Sequence, residues 1–162
     1  MKNTIILLTM LLFSGIGFAQ ESNNGKQLWA KSFLNEKAPE LTVETWISKK
    51  PDTEGKFVII DFWATWCGPC RKAIPELNEI AKEFSKDVVV IGISDEPVEK
   101  IKAMKEPVIE YYYGVDTKKT MDKILEIKGI PHVIIIDPKG IVRWEGFPLL
   151  ENHKLTPKSL KT

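Results

Sequence analysis

Residues 61–70 read Asp-Phe-Trp-Ala-Thr-Trp-Cys-Gly-Pro-Cys and hold both cysteines of the 162-residue chain. Before the motif, residues 57–61 are Phe, Val, Ile, Ile and Asp, a mixture typical of a strand buried on both faces. After it, apolar residues recur at intervals of three and four, which predicts an amphipathic helix packed on a sheet. These apolar residues are Ile74, Leu77, Ile80, Ala81 and Phe84. Cys67 is therefore expected where a strand ends and a helix begins.

A position at the start of a helix favours a thiolate on Cys67, because free N–H groups and the helix dipole stabilise an anion there. Such sites lower a thiol pKa from about 8.5 to between about 3.5 and 7.5. We expect Cys67 to be the attacking thiolate and Cys70, one turn into the helix, to be the resolving thiol. Pro69 falls in the first helical turn, where its missing N–H matters little, and Gly68 lets a partner chain approach the sulfur.

The rest of the chain alternates predicted strands and helices. Strands are expected at 41–46, 88–93, 109–113, 132–136 and 141–145, the last two as an antiparallel hairpin. The strand–helix–strand spacing predicts parallel pairing of 57–61 with 88–93. One short helix is expected to begin with Pro97 in its first turn. The next is expected to be capped by Asp116, to bury Met121, Ile124 and Leu125, and to end at Gly129.

The motif resembles thioredoxin, given Phe-Trp-Ala-x-Trp-Cys-Gly-Pro-Cys over 62–70, the acid before it and Pro75 after it. Further features are similar to the TlpA/ResA-like extracytoplasmic thiol–disulfide oxidoreductases. They are Ala38-Pro39, an insertion after the second core strand, Gly129-Ile130-Pro131, the apolar run 133–136 before Asp137, and Gly140. The resemblance covers roughly residues 37–148. It implies a thioredoxin-like α/β fold with a central mixed sheet flanked by helices, and an inserted helix and strand after the second core strand.

The resemblance also implies roles for residues near the cysteines. Pro131 would be a cis-proline facing them, which frees the backbone of Ile130 to pair with an incoming peptide. Together with Trp66, Gly68 and Pro69, these two residues are the predicted substrate-binding set, and Trp63 is expected to help shape the same face. Electrons would come from a membrane thiol donor of the DsbD/CcdA kind and pass to client proteins that contain disulfides.

Asp61 is the third predicted catalytic residue. It lies in an apolar strand with no cation adjacent in sequence, so burial should raise its pKa and make it a proton acceptor for Cys70. Many TlpA/ResA-like chains carry an acid three residues after the second cysteine, where this chain has Ala73. Asp61 would then have to supply any proton transfer. The alternative is a structural carboxylate tied to a backbone N–H or a lysine.

Composition and termini define the domain organisation. The chain is 43% hydrophobic and 28% charged, as expected of one soluble domain, and its net charge of +1 argues against a nucleic-acid partner. Residues 1–19 read as a signal peptide with a small-x-small cleavage site, which predicts export to the periplasm or another extracytoplasmic space. An uncleaved N-terminal anchor is the alternative. Residues 20–36 would form an N-terminal extension, with Leu28, Trp29, Phe33 and Leu34 packing over a sheet edge, and residues 37–162 the thioredoxin-like domain.

The C-terminus departs from the family, because only a short stretch follows the helix-start signal at Thr156-Pro157. Residues 149–160 either cover one face of the sheet irregularly or leave an apolar patch there for a partner.

The predicted function is an exported disulfide reductase, monomeric and without a metal or cofactor. A structural disulfide is disfavoured because a loop of two residues stabilises little. An oxidase or isomerase of the same fold is the first alternative, although strong oxidants usually have histidine between the cysteines. A peroxidase is weaker, because Thr65 stands two rather than three residues before Cys67. A copper-binding or client-binding module is the alternative of another class, with His132 as a possible Cu(I) ligand or, more simply, a surface or substrate-contact group.

Overall fold

A computed structural model describes residues 28–149 and Leu155. The predicted signal peptide at 1–19, the start of the extension, and the Thr156-Pro157 helix start lie outside the described residues. Within the described part, no helix is long and apolar enough to cross a membrane.

Strands and helices alternate along the described chain. The elements are β1 (Thr45–Trp46), β2 (Phe57–Phe62), α1 (Gly68–Glu83), β3 (Val88–Ser94), α2 (Val98–Ala103), β4 (Tyr112–Val115), α3 (Thr120–Leu125), β5 (His132–Ile136) and β6 (Val142–Gly146). The strands form one mixed sheet in the order β1-β4-β3-β2-β5-β6. β2, β3 and β4 run parallel to one another. The pairs β1–β4, β2–β5 and β5–β6 are antiparallel. The thioredoxin-like fold class, with its inserted helix and strand, is confirmed.

β2 lies at the centre of the sheet and is covered on both faces, as its sequence predicts. Alternate residues point to opposite faces of a strand. Ile59 accordingly joins an apolar cluster with α1, and Ile60 joins a second cluster with α3. We call these the α1-side and α3-side clusters. In α1 the buried side chains are Cys70, Ala73, Ile74 and Leu77, whereas Ile80, Ala81 and Phe84 of the predicted stripe are partly buried against the same cluster.

Two predicted strands differ in extent from those observed. β1 is limited to Thr45–Trp46, and before it the backbone N–H of Thr42 donates to the Met121 sulfur of α3 at 3.4 Å. β4 begins at Tyr112 rather than at 109, because the Asn78 side chain of α1 hydrogen-bonds to the backbone at 108 and 110. In both places a side chain from another element hydrogen-bonds to the backbone just before the strand.

α3 is shorter than predicted. The N-cap residue is Lys119 and not the predicted Asp116, although Asp116 Oδ2 accepts a hydrogen bond of 2.8 Å from the backbone N–H of Met121 in the first turn. The helix ends at Leu125 rather than at Gly129, because Glu126 adopts a left-handed φ of 49°. Ile124 is 41% exposed, so the prediction that it is buried was wrong.

The described part of the N-terminal extension lies along β6. The backbones of Asn35 and Glu36 hydrogen-bond to Val142 at 2.8 and 2.9 Å, and Phe33 packs on the α3-side cluster. Residues 35 and 36 thus shield backbone groups of the sheet edge that could otherwise pair with another chain. The prediction that Trp29 and Leu34 pack over the edge was wrong, because they are 46% and 43% exposed. At the other end, Leu155 is buried in the α1-side cluster, so this residue covers part of that face.

Candidate active site

Cys67 and Cys70 form a disulfide at the start of α1, with 5.2 Å between their Cα atoms. Cys67 is the N-cap residue of the helix, where the predicted junction of strand and helix places it. Its sulfur accepts a hydrogen bond from the backbone N–H of Cys70 at 3.2 Å. Cys67 is 4% exposed and Cys70 is fully buried. The same N–H would stabilise a thiolate on Cys67 after reduction, because the first N–H groups of a helix have no partner inside the helix.

The surface around the disulfide is formed by three residues of the motif. Trp66 is 68% exposed, and Gly68 and Pro69 are also exposed. A Cβ atom at Gly68 would meet no heavy atom within 4 Å, so the approach to the sulfur is open there. Trp63 is only 2% exposed and belongs to the α1-side cluster. It also lines a small groove together with Trp66 and Ile130.

Ile130 and Pro131 lie next to the cysteines in space. The peptide bond between them is cis, and the carbonyl oxygen of Ile130 lies 3.8 Å from the Cys67 sulfur. Pro131 is buried and immediately precedes β5. A groove of about 190 Å³ separates Ile130 from Trp66 and is also lined by Asp95 and Lys119. Of the predicted substrate-binding residues, Trp66 and Ile130 line this groove, Gly68 and Pro69 are exposed beside Cys67, and Pro131 is buried.

His132 lies in the core, which corrects its interpretation as a surface or substrate-contact group. Its side chain is fully buried, and its ring centroid lies 6.1 Å from that of Phe62. The two residues are ladder partners, and Phe62 belongs to the α3-side cluster, whereas the cysteines belong to the α1-side cluster. The imidazole therefore lies on the face of the sheet opposite to the sulfurs. In the described part of the chain, no three His, Cys, Asp or Glu side chains form a group that could hold a metal ion.

Asp61 is completely buried in β2. Strand alternation places it with Ile59 and Trp63, on the face that α1 and both cysteines cover. Its Oδ2 accepts a hydrogen bond of 3.4 Å from the Tyr111 hydroxyl. Its Oδ1 has no hydrogen-bond partner among the described residues. Burial raises the pKa of Asp61 to about 7, although the hydrogen bond from Tyr111 acts in the opposite direction.

The environment of Asp61 bears on its two interpretations. Among the described residues, neither a backbone N–H nor a lysine hydrogen-bonds to the carboxyl group, whose one partner is Tyr111. A carboxyl group with a pKa near 7 exchanges protons readily at neutral pH. A pKa near 7 is what the predicted proton acceptor for Cys70 requires.

Sequence reasoning missed two residues near the motif, Tyr111 and Glu96. Tyr111 reaches Asp61 from the segment before β4, which the side chains of Arg71 and Asn78 fasten to α1. Glu96 accepts hydrogen bonds from Thr65, two residues before Cys67. The only signal in the sequence was the spacing of Glu96 and Lys100, four residues apart, which is typical of a helical ion pair.

Comparisons with known proteins agree with this geometry. Thiol-disulfide oxidoreductase ResA of Bacillus subtilis is 26% identical over 65% of this chain and 62% of its own length. Thiol:disulfide interchange protein DsbE of Pseudomonas aeruginosa is 29% identical over 88% of this chain and 83% of its own. The thioredoxin domain of a thiol-disulfide oxidoreductase from Bacteroides vulgatus superposes with a TM-score of 0.62, at 27% identity over 78% of this chain and 91% of that one.

The model of the AhpC/TSA family matches residues 34–145, which include both cysteines, Asp61, Ile130 and Pro131. The chain therefore belongs to the AhpC/TSA family and, within its thioredoxin-like members, is similar to thiol-disulfide oxidoreductases of the TlpA/ResA type.

Proposed function

We propose that this thiol-disulfide oxidoreductase reduces disulfides of client proteins outside the cytoplasm. The observation that carries the proposal is the position of the Cys67 sulfur, at the start of α1 and 3.8 Å from the Ile130 carbonyl. A helix start favours a thiolate, and an extended client segment that pairs with the Ile130 backbone would bring its own disulfide to that sulfur.

The reaction begins from the reduced pair. The Cys67 thiolate attacks one sulfur of the client disulfide, a mixed disulfide forms, and the other client sulfur leaves as a thiolate. Cys70 then loses its proton to the Asp61 carboxylate and attacks the Cys67 sulfur. The Cys67–Cys70 disulfide forms and the second client thiolate leaves, so that two electrons have passed to the client. Trp66, Gly68 and Pro69 would contact the client around the reacting sulfur.

A second thiol protein must restore the reduced pair, because the cycle leaves Cys67 and Cys70 oxidised. We propose that a membrane thiol donor of the DsbD/CcdA kind performs this step. We also propose that the enzyme is monomeric and holds no metal or cofactor.

Export is supported by the signal-like pattern of residues 1–19. Its test is the mass of the mature protein after secretion, which should begin at Gln20. A mass that includes residues 1–19 would support the uncleaved anchor instead.

The proposed attack is tested by trapping the mixed disulfide. The Cys70→Ser variant, reduced and mixed with a synthetic peptide closed by one disulfide, should accumulate a covalent adduct visible by mass spectrometry. The matched Cys67→Ser variant should form little adduct, because its remaining thiol is buried. Equal adducts with both variants would contradict the assignment of Cys67 as the nucleophile. Peptide binding that persists in the Cys67→Ser variant, with no reduction of the peptide by the wild-type protein, would favour a non-redox client-binding module.

The direction of electron flow is tested by the reduction potential of the pair, measured in dithiothreitol buffers. A value near about −270 mV, as in thioredoxin, supports a reductase. A value between about −180 and −120 mV, the range of protein disulfide isomerase and DsbA, would overturn that direction and favour an isomerase or oxidase.

A further inference from the structure

Glu96 is a charged residue in an almost fully buried position. It is 5% exposed and follows the end of β3. One carboxylate oxygen accepts the backbone N–H of Thr65 at 2.6 Å, and the other accepts the Thr65 hydroxyl at 2.9 Å. The Ser94 hydroxyl lies 3.4 Å from the first of these oxygens. Glu96 thereby fastens the loop between β2 and α1 to the neighbouring strand.

Lys100 balances the charge of this carboxylate. Its Nζ lies 2.6 Å from Glu96 Oε1, and the lysine side chain is itself 54% exposed. Burial acts to raise the pKa of Glu96, but the hydrogen bonds from Lys100 and Thr65 outweigh it and hold the pKa below its ordinary value. Glu96 is therefore ionised at neutral pH, in contrast to Asp61.

The loop that Glu96 holds leads directly to Cys67. Thr65 is two residues before the cysteine, and the backbone N–H of Cys67 donates to the Ala64 carbonyl at 3.1 Å in a tight turn. Two residues of backbone span at most about 7 Å, so the Thr65 backbone that Glu96 holds lies within that distance of the Cys67 backbone.

We propose that Glu96 and Lys100 are positioning residues for the thiol chemistry: Glu96 orients the loop that carries Trp66 and Cys67, and Lys100 cancels the effect of the Glu96 charge on the Cys67 thiolate. The inference rests on the proposed function, in which Cys67 is the nucleophile. It assigns the α2 segment a part in setting the reactivity of Cys67. Removal of either partner should therefore change the pKa of the Cys67 thiol, and the two changes should have opposite signs.

The test is the pKa of the Cys67 thiol in reduced full-length protein, measured from thiolate absorbance at 240 nm and from the pH dependence of alkylation by iodoacetamide. Lys100→Met leaves an unbalanced carboxylate, which should raise the pKa by about 0.5 to 1 and slow alkylation at pH 7 by about three- to tenfold. Glu96→Gln leaves an unbalanced ammonium and should lower the pKa by a similar amount. The double variant should return close to wild type.

Controls come from the same helix, where Glu99 and Lys102 are exposed. Glu99→Gln and Lys102→Met should leave the pKa unchanged, because neither residue forms an ion pair or hydrogen bond with Glu96, as Lys100 does. Shifts of the same sign in the Glu96 and Lys100 variants would point to loss of fold alone and overturn the proposal, as would two unshifted values. Reduction of the cyclic peptide disulfide by the wild-type protein is measured separately, so failure of the proposed function is distinguished from failure of this inference.

Discussion

The burial of Asp61 should make the free energy of unfolding fall as pH rises. The Asp61→Asn variant should lack this pH dependence. In the folded protein the carboxyl group has a pKa of about 7, against an ordinary value of 3.8. As pH rises between these values, the unfolded chain loses the proton while the folded protein retains it, so the free energy of unfolding falls. The stability associated with protonated Asp61 is complete below pH 3.8 and is lost as pH passes through 7.

The size of this effect follows from the two pKa values. Their difference corresponds to about 4 kcal/mol in total, of which between about 2 and 3 kcal/mol falls between pH 5 and pH 8. Asparagine is neutral at every pH in this range and nearly equal in size to aspartic acid. Relative to wild type, Asp61→Asn should thus become more stable by that amount as pH rises from 5 to 8.

Urea unfolding of the oxidised proteins at several pH values measures the difference, because the disulfide keeps the thiols from titrating. The exposed Asp87, replaced by Asn, controls for the exchange of a carboxylate for an amide at a surface site. A stability difference between Asp61→Asn and wild type that stays constant from pH 5 to pH 8 would refute the raised pKa and, with it, the proton-acceptor role at neutral pH.

Three further variants test the surroundings of the site. Tyr111→Phe removes the hydrogen bond that lowers the pKa of Asp61, so the pH at which the stability loss ends should move above 7; an unmoved end point would show that the bond has no effect. Gly92→Ala places a Cβ 3.0 Å from Trp63 Nε1 and should lower the free energy of unfolding in urea by about 1 to 3 kcal/mol; an unchanged midpoint would contradict this packing. Trp66→Ala, at a 68% exposed position, should change stability by less than about 0.5 kcal/mol while slowing reduction of the cyclic peptide disulfide; an unaltered rate would remove Trp66 from the contact surface.

The features predicted most accurately are those that depend on residues close together in the sequence. The strand, motif and helix around Cys67 follow from hydrophobic periodicity within about 25 residues, and burial of Asp61 follows from its apolar neighbours in the same strand. The bounds of β4 and α3 were less accurate. β4 starts late because Asn78 holds residues 108–110 along α1, a contact across 30 or more positions that periodicity does not encode.

The residues that hydrogen-bond to Asp61 and Thr65 could not be predicted, because they lie far from these two residues in the sequence. Tyr111 is 50 positions from Asp61, and Glu96 is 31 from Thr65. His132 was misjudged for a related reason: its neighbourhood in sequence suggested a strand end near the cysteines, but its pairing with Phe62 turns the ring to the opposite face. Face assignment in a central strand depends on the ladder register, which is set by the whole sheet.

The insertion between β3 and α3 explains how one site can hold two carboxyl groups with different charge states. Tyr111, from the segment before β4, gives Asp61 one neutral hydrogen bond, which does not offset its burial, so Asp61 titrates near neutral pH. Lys100, from α2, gives Glu96 an ion pair, so Glu96 remains ionised. A proton acceptor must change its charge during turnover, whereas a residue that only positions a loop is better with a fixed charge. The two environments match the two proposed roles, and each is completed by a residue of the inserted segment.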